Sequence, residues 1–288
     1  MNSEISVENS VITFGDREIP LISGEFHYWR VLRENWEAVL DRIKEMGIEV
    51  VASYVPWNYH ELQPGEYDFH GRTSPQRDLA GFMDLVQEAG LWLIMRPGPY
   101  IYSEWQHGGV PERAAQCHRL DPQFLEWSRD YIEHVCEIIV PRQITRNGNV
   151  ILVQADNEPY PPIESFGAEM GCFGQPGTFK EWLCDKYDGD IQTLNRQWGT
   201  RYQDFEQACV FFHEPYVDPE ATMGERLLPG EMYGRRFADT HEFIGWYAAK
   251  IVSTVGGWLR ETGVDVPVYG NGWSPLYQDF CQLMDVAD

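Results

Sequence analysis

Positive charge is scarce in this sequence: Lys and Arg number 22 against 45 Asp and Glu, giving a formal net charge of −23 over 288 residues. Such a surface repels phosphate backbones and anionic headgroups, which excludes nucleic acid and membrane surfaces as expected partners. The excess acid is read as a solvated, self-repelling surface rather than as a site for cationic ligands. No apolar run approaches the length of a membrane span. The opening residues MNSEISVENSVITF carry neither a basic n-region nor an apolar h-region, so no classical signal peptide is read and a cytoplasmic address is the expectation. None of Cys117, Cys136, Cys172, Cys184, Cys209 and Cys281 forms a CxxC pair, which argues against a zinc cluster and for reduced, mostly buried thiols. No glycine-rich dinucleotide fingerprint follows the first apolar segment, which disfavours a Rossmann sheet.

Four segments share one build, an apolar strand that breaks into polar and aromatic residues at its C-terminal end. They are LISGEFHYWR from 21, EVVASYVPWNYHE from 49, LWLIMRPGPYIYSEW from 91 and ILVQADNEP from 151. In the last, Ile151, Val153 and Ala155 alternate with Gln154, Asp156 and Glu158, the pattern of a water-facing strand or of a barrel strand lining a polar centre. The intervening stretches decide for the barrel. Trp36, Val39, Leu40, Ile43 and Met46 have helical spacing and stop at Gly47; Leu79, Phe82, Met83 and Val86 do the same before Gly90. A third helix opens with Asp121 as N-cap and Pro122 in its first turn, and turns Phe124, Tyr131, Val135 and Ile138 or Ile139 to the sheet. Strand and helix alternate four times, so the fold class is α/β, a (β/α)8 TIM barrel.

Outside these units, VITFGDREIP predicts a hairpin turning at Gly15 and Asp16 that plugs the bottom of the barrel. A long insert at about 160–234 has helix signals at 178–187 and 190–198 and is expected to overhang the pocket as a lid, before a long helix runs towards Gly263. VPVYGNG from 265 reads as the fifth strand and LMDVAD from 283 as the start of the sixth, so residues 1–288 read as the N-terminal part of a barrel truncated after about the sixth strand.

Residues 21–110 resemble glycoside hydrolase family 35, the β-galactosidases of the retaining barrel clan, through SGEFHYWR, SYVPWNYHE, PGEYDFHG with RDLAGF, and RPGPYIYSEWQHGGVP. Beyond 160, LNRQWGTRYQDFEQ is similar instead to a segment of family 42 galactosidases. The resemblance implies a retaining exo-β-glycosidase acting on terminal β-galactosides by double displacement, with no cofactor and no metal. Glu158 then falls at the acid/base position. Asn157 pairs with the sugar 2-hydroxyl, and Tyr54, Ser103 and Glu104 line the terminal-sugar site. The family pattern has a Glu two positions before the acid/base and Tyr-Gly after it, where this chain has Asp156 and Pro159. Strict alternation would turn Asn157 away from Glu158, so both face the sugar only if the strand bulges or ends there.

His27, Arg96 and His60 are read as structural barrel residues, and Trp57 and Trp105 as core residues that could also stack on a sugar. The family nucleophile belongs to the seventh strand and is expected beyond residue 288. Glu214 and Glu231 lack a preceding strand of suitable register, and Asp285 and Asp288 are read as structural. The 288-residue chain is therefore expected to be an inactive fragment, open to homo-oligomerisation through its sheet edges. The alternative is a non-catalytic sugar-binding barrel module.

Overall fold

A computed structural model describes residues 5–8, 11–19, 22–159, 177–209 and 235–272. Cys172, Cys281, Glu214, Glu231, Asp285, Asp288 and the expected sixth strand lie outside the described residues.

Strands β1 (Ile5–Glu8), β2 (Val11–Phe14) and β3 (Arg17–Ile19) form an antiparallel meander. Its second turn falls at Gly15 and Asp16, as expected, with Gly15 at φ 60°. Ile12 and Ile19 are paired across it and buried. Arg17 lies 6.0 Å from the ring of Trp92, the first residue of a sheet strand, so the hairpin sits beside the N-terminal end of the sheet.

That sheet is parallel and consecutive: β4 (Ser23–Glu25), β5 (Val50–Tyr54), β8 (Trp92–Arg96), β9 (Val150–Gln154) and β10 (Val268–Tyr269) pair in chain order. Between β5 and β8 the chain forms a small antiparallel pair, β6 (Glu61–Gln63) with β7 (Glu66–Tyr67). Helices α1 (Trp36–Glu45), α3 (Leu79–Glu88), α5 (Pro122–Ile139) and α9 (Arg235–Glu261) make the four crossovers, with the short α2 (Trp57–His60) and α4 (Glu112–Ala115) between. These are five consecutive staves of a TIM-type barrel. All of β5 and β9 is buried, as a parallel sheet covered on both faces requires, so the alternation from Ile151 is not that of a water-facing strand.

Helix signals placed the helices closely. Asp121 accepts from the backbone N–H of Gln123 at 2.8 Å, and Asp78 caps α3 by accepting from Gly81 N at 2.9 Å. Met46 departs from expectation: it is 69% exposed, because α1 has ended at Glu45 and Gly47 (φ 77°) turns the chain away. Trp36, Tyr28 and Phe26 converge on Phe82, with ring centroids 5.5, 4.8 and 5.4 Å from it. Emptying that position by Phe82→Ala would cost about 3–5 kcal/mol.

Within the insert, α6 (Thr178–Lys186), α7 (Ile191–Trp198) and α8 (Phe205–Cys209) form where helix signals stand. α6 and α7 dock on α9. Phe179 meets Phe243 at 4.9 Å, and the buried Asp239 accepts from Tyr187 and from Trp198 Nε1 (2.7 Å) and pairs with Lys186 (3.2 Å) and Arg235 (3.0 Å). Among the described residues Cys117, Cys136, Cys184 and Cys209 form no disulfide, and two of them, Cys136 and Cys209, are buried.

Candidate active site

β9 ends at Gln154, and the chain then leaves the strand with Asp156 at φ 59° and Glu158 at φ 46°. Left-handed backbone costs an L-residue roughly 1–2 kcal/mol, so it persists only where neighbours over-determine it. The neighbours here are specific. Asp156 Oδ1 accepts from Tyr100 N at 2.9 Å, and its Oδ2 takes Arg119 in a fully buried ion pair. The same guanidinium donates to the Asn157 carbonyl at 3.2 Å and to the Tyr102 hydroxyl at 2.7 Å. Asn157 Oδ1 accepts from Tyr54 (2.8 Å), Asn271 (2.7 Å), Gln154 (3.1 Å) and Arg96 (3.2 Å), while its Nδ2 donates to the Ile101 carbonyl at 3.2 Å. Arg96 can only donate and a carbonyl can only accept, so the amide orientation is fixed. Glu158 donates its backbone N–H to Asn271 Oδ1 at 3.1 Å and keeps an exposed side chain.

The ends of β4, β5 and β8 supply the adjoining wall. Arg96 lies 3.7 Å from the Tyr54 ring centroid, pairs with Glu25 and donates to Gln154 at 2.6 Å. His27 stands 3.5 Å from Glu25 and 3.3 Å from the Ser103 hydroxyl. Arg30 holds the Ser103 carbonyl. Tyr102, Ser103 and Glu104 are left-handed in succession, and the loop closes on Gly108, whose carbonyl accepts from Ile101 N (2.8 Å) and Tyr102 N (3.0 Å). The next residue must be glycine: at Gly109 (φ 95°) a Cβ would meet Ile101 Cγ1 at 2.4 Å.

Burial pushes the Tyr54 phenol up to about 12 against the opposing pull of Arg96, so it remains an O–H donor. Burial also lowers His27, with Glu25 opposing, which favours the neutral imidazole. Asp156 is raised by burial while Arg119 pulls the other way; burial would lower Arg119, but Asp156 and the neighbouring tyrosines outweigh it and raise it.

Of the residues singled out by sequence, Tyr54 and Asn157 are in direct contact, Glu158 follows, and Ser103 with Glu104 forms a neighbouring loop joined through His27 and Arg96. Glu104 is exposed. The strand does end, as the shared facing of Asn157 and Glu158 demanded, but Asp156 does not line the pocket with Glu158: it turns to Arg119. Arg96 and His27 are hydrogen-bonded or ion-paired at the barrel strand ends, as structural residues would be, and they touch Asn157 and Ser103 respectively. His60 is scaffold, with its Nδ1 donating to the Asp68 carbonyl (2.6 Å) and its Nε2 accepting from Tyr28 (2.5 Å). Trp57 is fully buried and stacks on Tyr131 at 5.2 Å; Trp105 packs on Trp29 at 4.7 Å.

Three site residues escaped the sequence reading. Glu25 and Asn271 had a usable signal, since each closes or follows a sheet strand at the face where the other polar residues gather. Arg119 had none beyond the need of a buried acid for a cation; it lies 37 residues from Asp156, in a loop without pattern.

Comparison with known proteins matches residues 11–172 to the glycosyl hydrolases family 35. The exo-beta-D-glucosaminidase of Pyrococcus horikoshii is 30% identical over 92% of this chain and 35% of its own length. Human beta-galactosidase-1-like protein 3 is 40% identical over 48% of this chain and 21% of its own. The crystal structure of a beta-galactosidase from Rahnella sp. R3 superposes on 93% of this chain and 38% of its own, with TM-score 0.61 at 15% identity, a likeness of fold. This chain spans about a third of the length of the curated relatives that it matches over most of its residues. With five parallel staves, an Asn-Glu pair closing the fourth and a family match over more than half of the residues, the chain belongs to glycosyl hydrolases family 35.

Proposed function

We propose that this chain carries the acid/base half of a retaining exo-β-glycosidase site whose substrates are terminal β-galactosides. The observation that carries the reading is the Asn157-Glu158 pair, held at the end of β9 by donors from three other strand ends. A glycosidic oxygen leaves poorly unless protonated. Glu158 gives it a proton as the C–O bond breaks, while a carboxylate on the opposite face bonds to the anomeric carbon; Glu158 then takes a proton from the water that displaces that carboxylate. Retention sets the two carboxyl groups about 5–5.5 Å apart. The nucleophile is assigned to residues outside those described. Tyr54, Ser103 and Glu104 serve the terminal sugar.

A second reading, a terminal glucosamine, is favoured by the span of likeness to the Pyrococcus horikoshii protein. The amide of Asn157 favours a 2-hydroxyl sugar instead. Its oxygen is filled by four donors, and the group it has left to offer is one N–H. An N–H suits a 2-hydroxyl, which can accept; an ammonium cannot. The test compares kcat/KM for 4-nitrophenyl β-D-galactoside and β-D-glucosaminide in the whole protein. The galactoside should be preferred, and a preferred glucosaminide would overturn the choice of sugar.

A further inference from the structure

We propose that Arg119 is a positioning residue for Glu158, acting with Asn271 to lock the single peptide group that joins Asn157 to Glu158. The proposal rests on Glu158 being the acid/base. The carbonyl of that peptide accepts from Arg119 at 3.2 Å, and its N–H donates to Asn271 Oδ1 at 3.1 Å. The two anchors come from different parts of the barrel, the loop before α5 and the segment after β10. Tilting this peptide plane would swing Glu158 while leaving the Asn157 side chain in place. Pinned at both poles, it cannot tilt without breaking one bond.

Arg119 is an expensive choice if stability were its only task. Its side chain is 1% exposed, as is that of Asp156, and a buried ion pair is often no more stabilising than apolar residues of the same volume. What an apolar pair lacks is direction. The planar guanidinium reaches three acceptors at once, the Asp156 carboxylate, the Asn157 carbonyl and the Tyr102 hydroxyl, and lies 4.3 Å from the Tyr100 ring centroid. It thereby ties the left-handed 102–104 loop, with Ser103 and Glu104, to the left-handed turn that carries Glu158. One residue sets the spacing between the sugar-gripping loop and the proton donor. A lysine keeps the charge but not this fork.

The test measures, in the whole protein, the ratio of kcat/KM on an alkyl β-galactoside to kcat/KM on 2,4-dinitrophenyl β-galactoside, whose leaving group needs little protonation; kcat/KM reports the glycosylation step and not the later attack of water. Glu158→Gln should lower the ratio by about 10²-fold or more. Arg119→Lys and Asn271→Ala should lower it in the same direction by about 10- to 100-fold, as misplacement of a catalytic group does. A merely structural role would reduce both substrates in proportion. Should Arg119→Lys fail to fold, Asn271→Ala, at a half-buried position, decides the point from the other pole of the peptide. A ratio shifted by Glu158→Gln but left at the wild-type value by Asn271→Ala, or by folded Arg119→Lys, overturns the clamp alone. A ratio unmoved by Glu158→Gln sinks the acid/base assignment, and the clamp with it.

Discussion

Asp68 and Asp156 are both buried, both beside sheet strands, and they are held in opposite ways. Every partner of the Asp68 carboxylate lies within five residues: the backbone N–H groups of His70 (3.1 Å), Arg72 (3.1 Å) and Thr73 (2.7 Å), the Thr73 hydroxyl (2.7 Å) and the Arg72 guanidinium (3.8 Å). Burial alone would raise that carboxyl, but these donors outweigh it and lower it to about 2. Asp156 depends on Tyr100 and Arg119, 56 and 37 residues away. A carboxylate closed by its own loop secures a corner of the fold. A carboxylate closed across loops fixes the distance between them, and one of those loops carries Glu158.

The sharpest break between the two regions is expected in activity. Glu158→Gln should reduce turnover of unactivated β-galactosides by about 10²–10⁴-fold while leaving the melting temperature close to wild type, because the side chain is exposed. Asp68 variants that fold should leave the alkyl-to-aryl ratio untouched.

In stability, Asp156→Leu leaves Arg119 buried without its counter-charge and should cost about 3–5 kcal/mol in denaturant unfolding. The double variant Arg119→Met/Asp156→Leu should recover most of that. Asp68→Ala leaves several donors unpaired and should cost about 1–3 kcal/mol. A larger loss at Asp68 than at Asp156 would reverse the comparison.

A further effect is in acid. His60 is buried neutral and held down to about 4, against 6.5 for the free side chain. The unfolded chain takes up the proton first, so this contribution is fully present above pH 6.5 and is lost as pH falls towards 4. Asp68, lowered from 3.8 to about 2, contributes fully above pH 4 and loses its contribution between there and pH 2. Unfolding free energy measured against pH should therefore decline in two adjoining windows, and His60→Gln should make the decline in the upper one shallower while leaving the lower one unchanged.

The barrel staves were legible because parallel strands are apolar runs and their helices have caps and glycine stops, as at Asp121 and Gly47. The place of Asn157 and Glu158 just past a strand end was legible through their motif. Asp156 was misplaced because alternation describes a regular strand, and the backbone turns left-handed at that residue. Arg119 was illegible because contact across 37 residues leaves no local pattern. The partners of Arg96 were illegible for a related reason: Glu25, Tyr54 and Asn157 reach it from other strands, which one strand cannot announce.

The most direct test of Glu158 as proton donor is to supply azide to Glu158→Ala in the whole protein, with 2,4-dinitrophenyl β-galactoside as substrate. With the base gone, water attacks the galactosyl-enzyme slowly, whereas azide needs no proton removed and enters from the face that the aryl group vacated. The account predicts restored turnover and β-galactosyl azide as product, identified by its anomeric proton. Formation of the α-azide would make Glu158 the nucleophile, and absence of any azide product would contradict its role as acid/base.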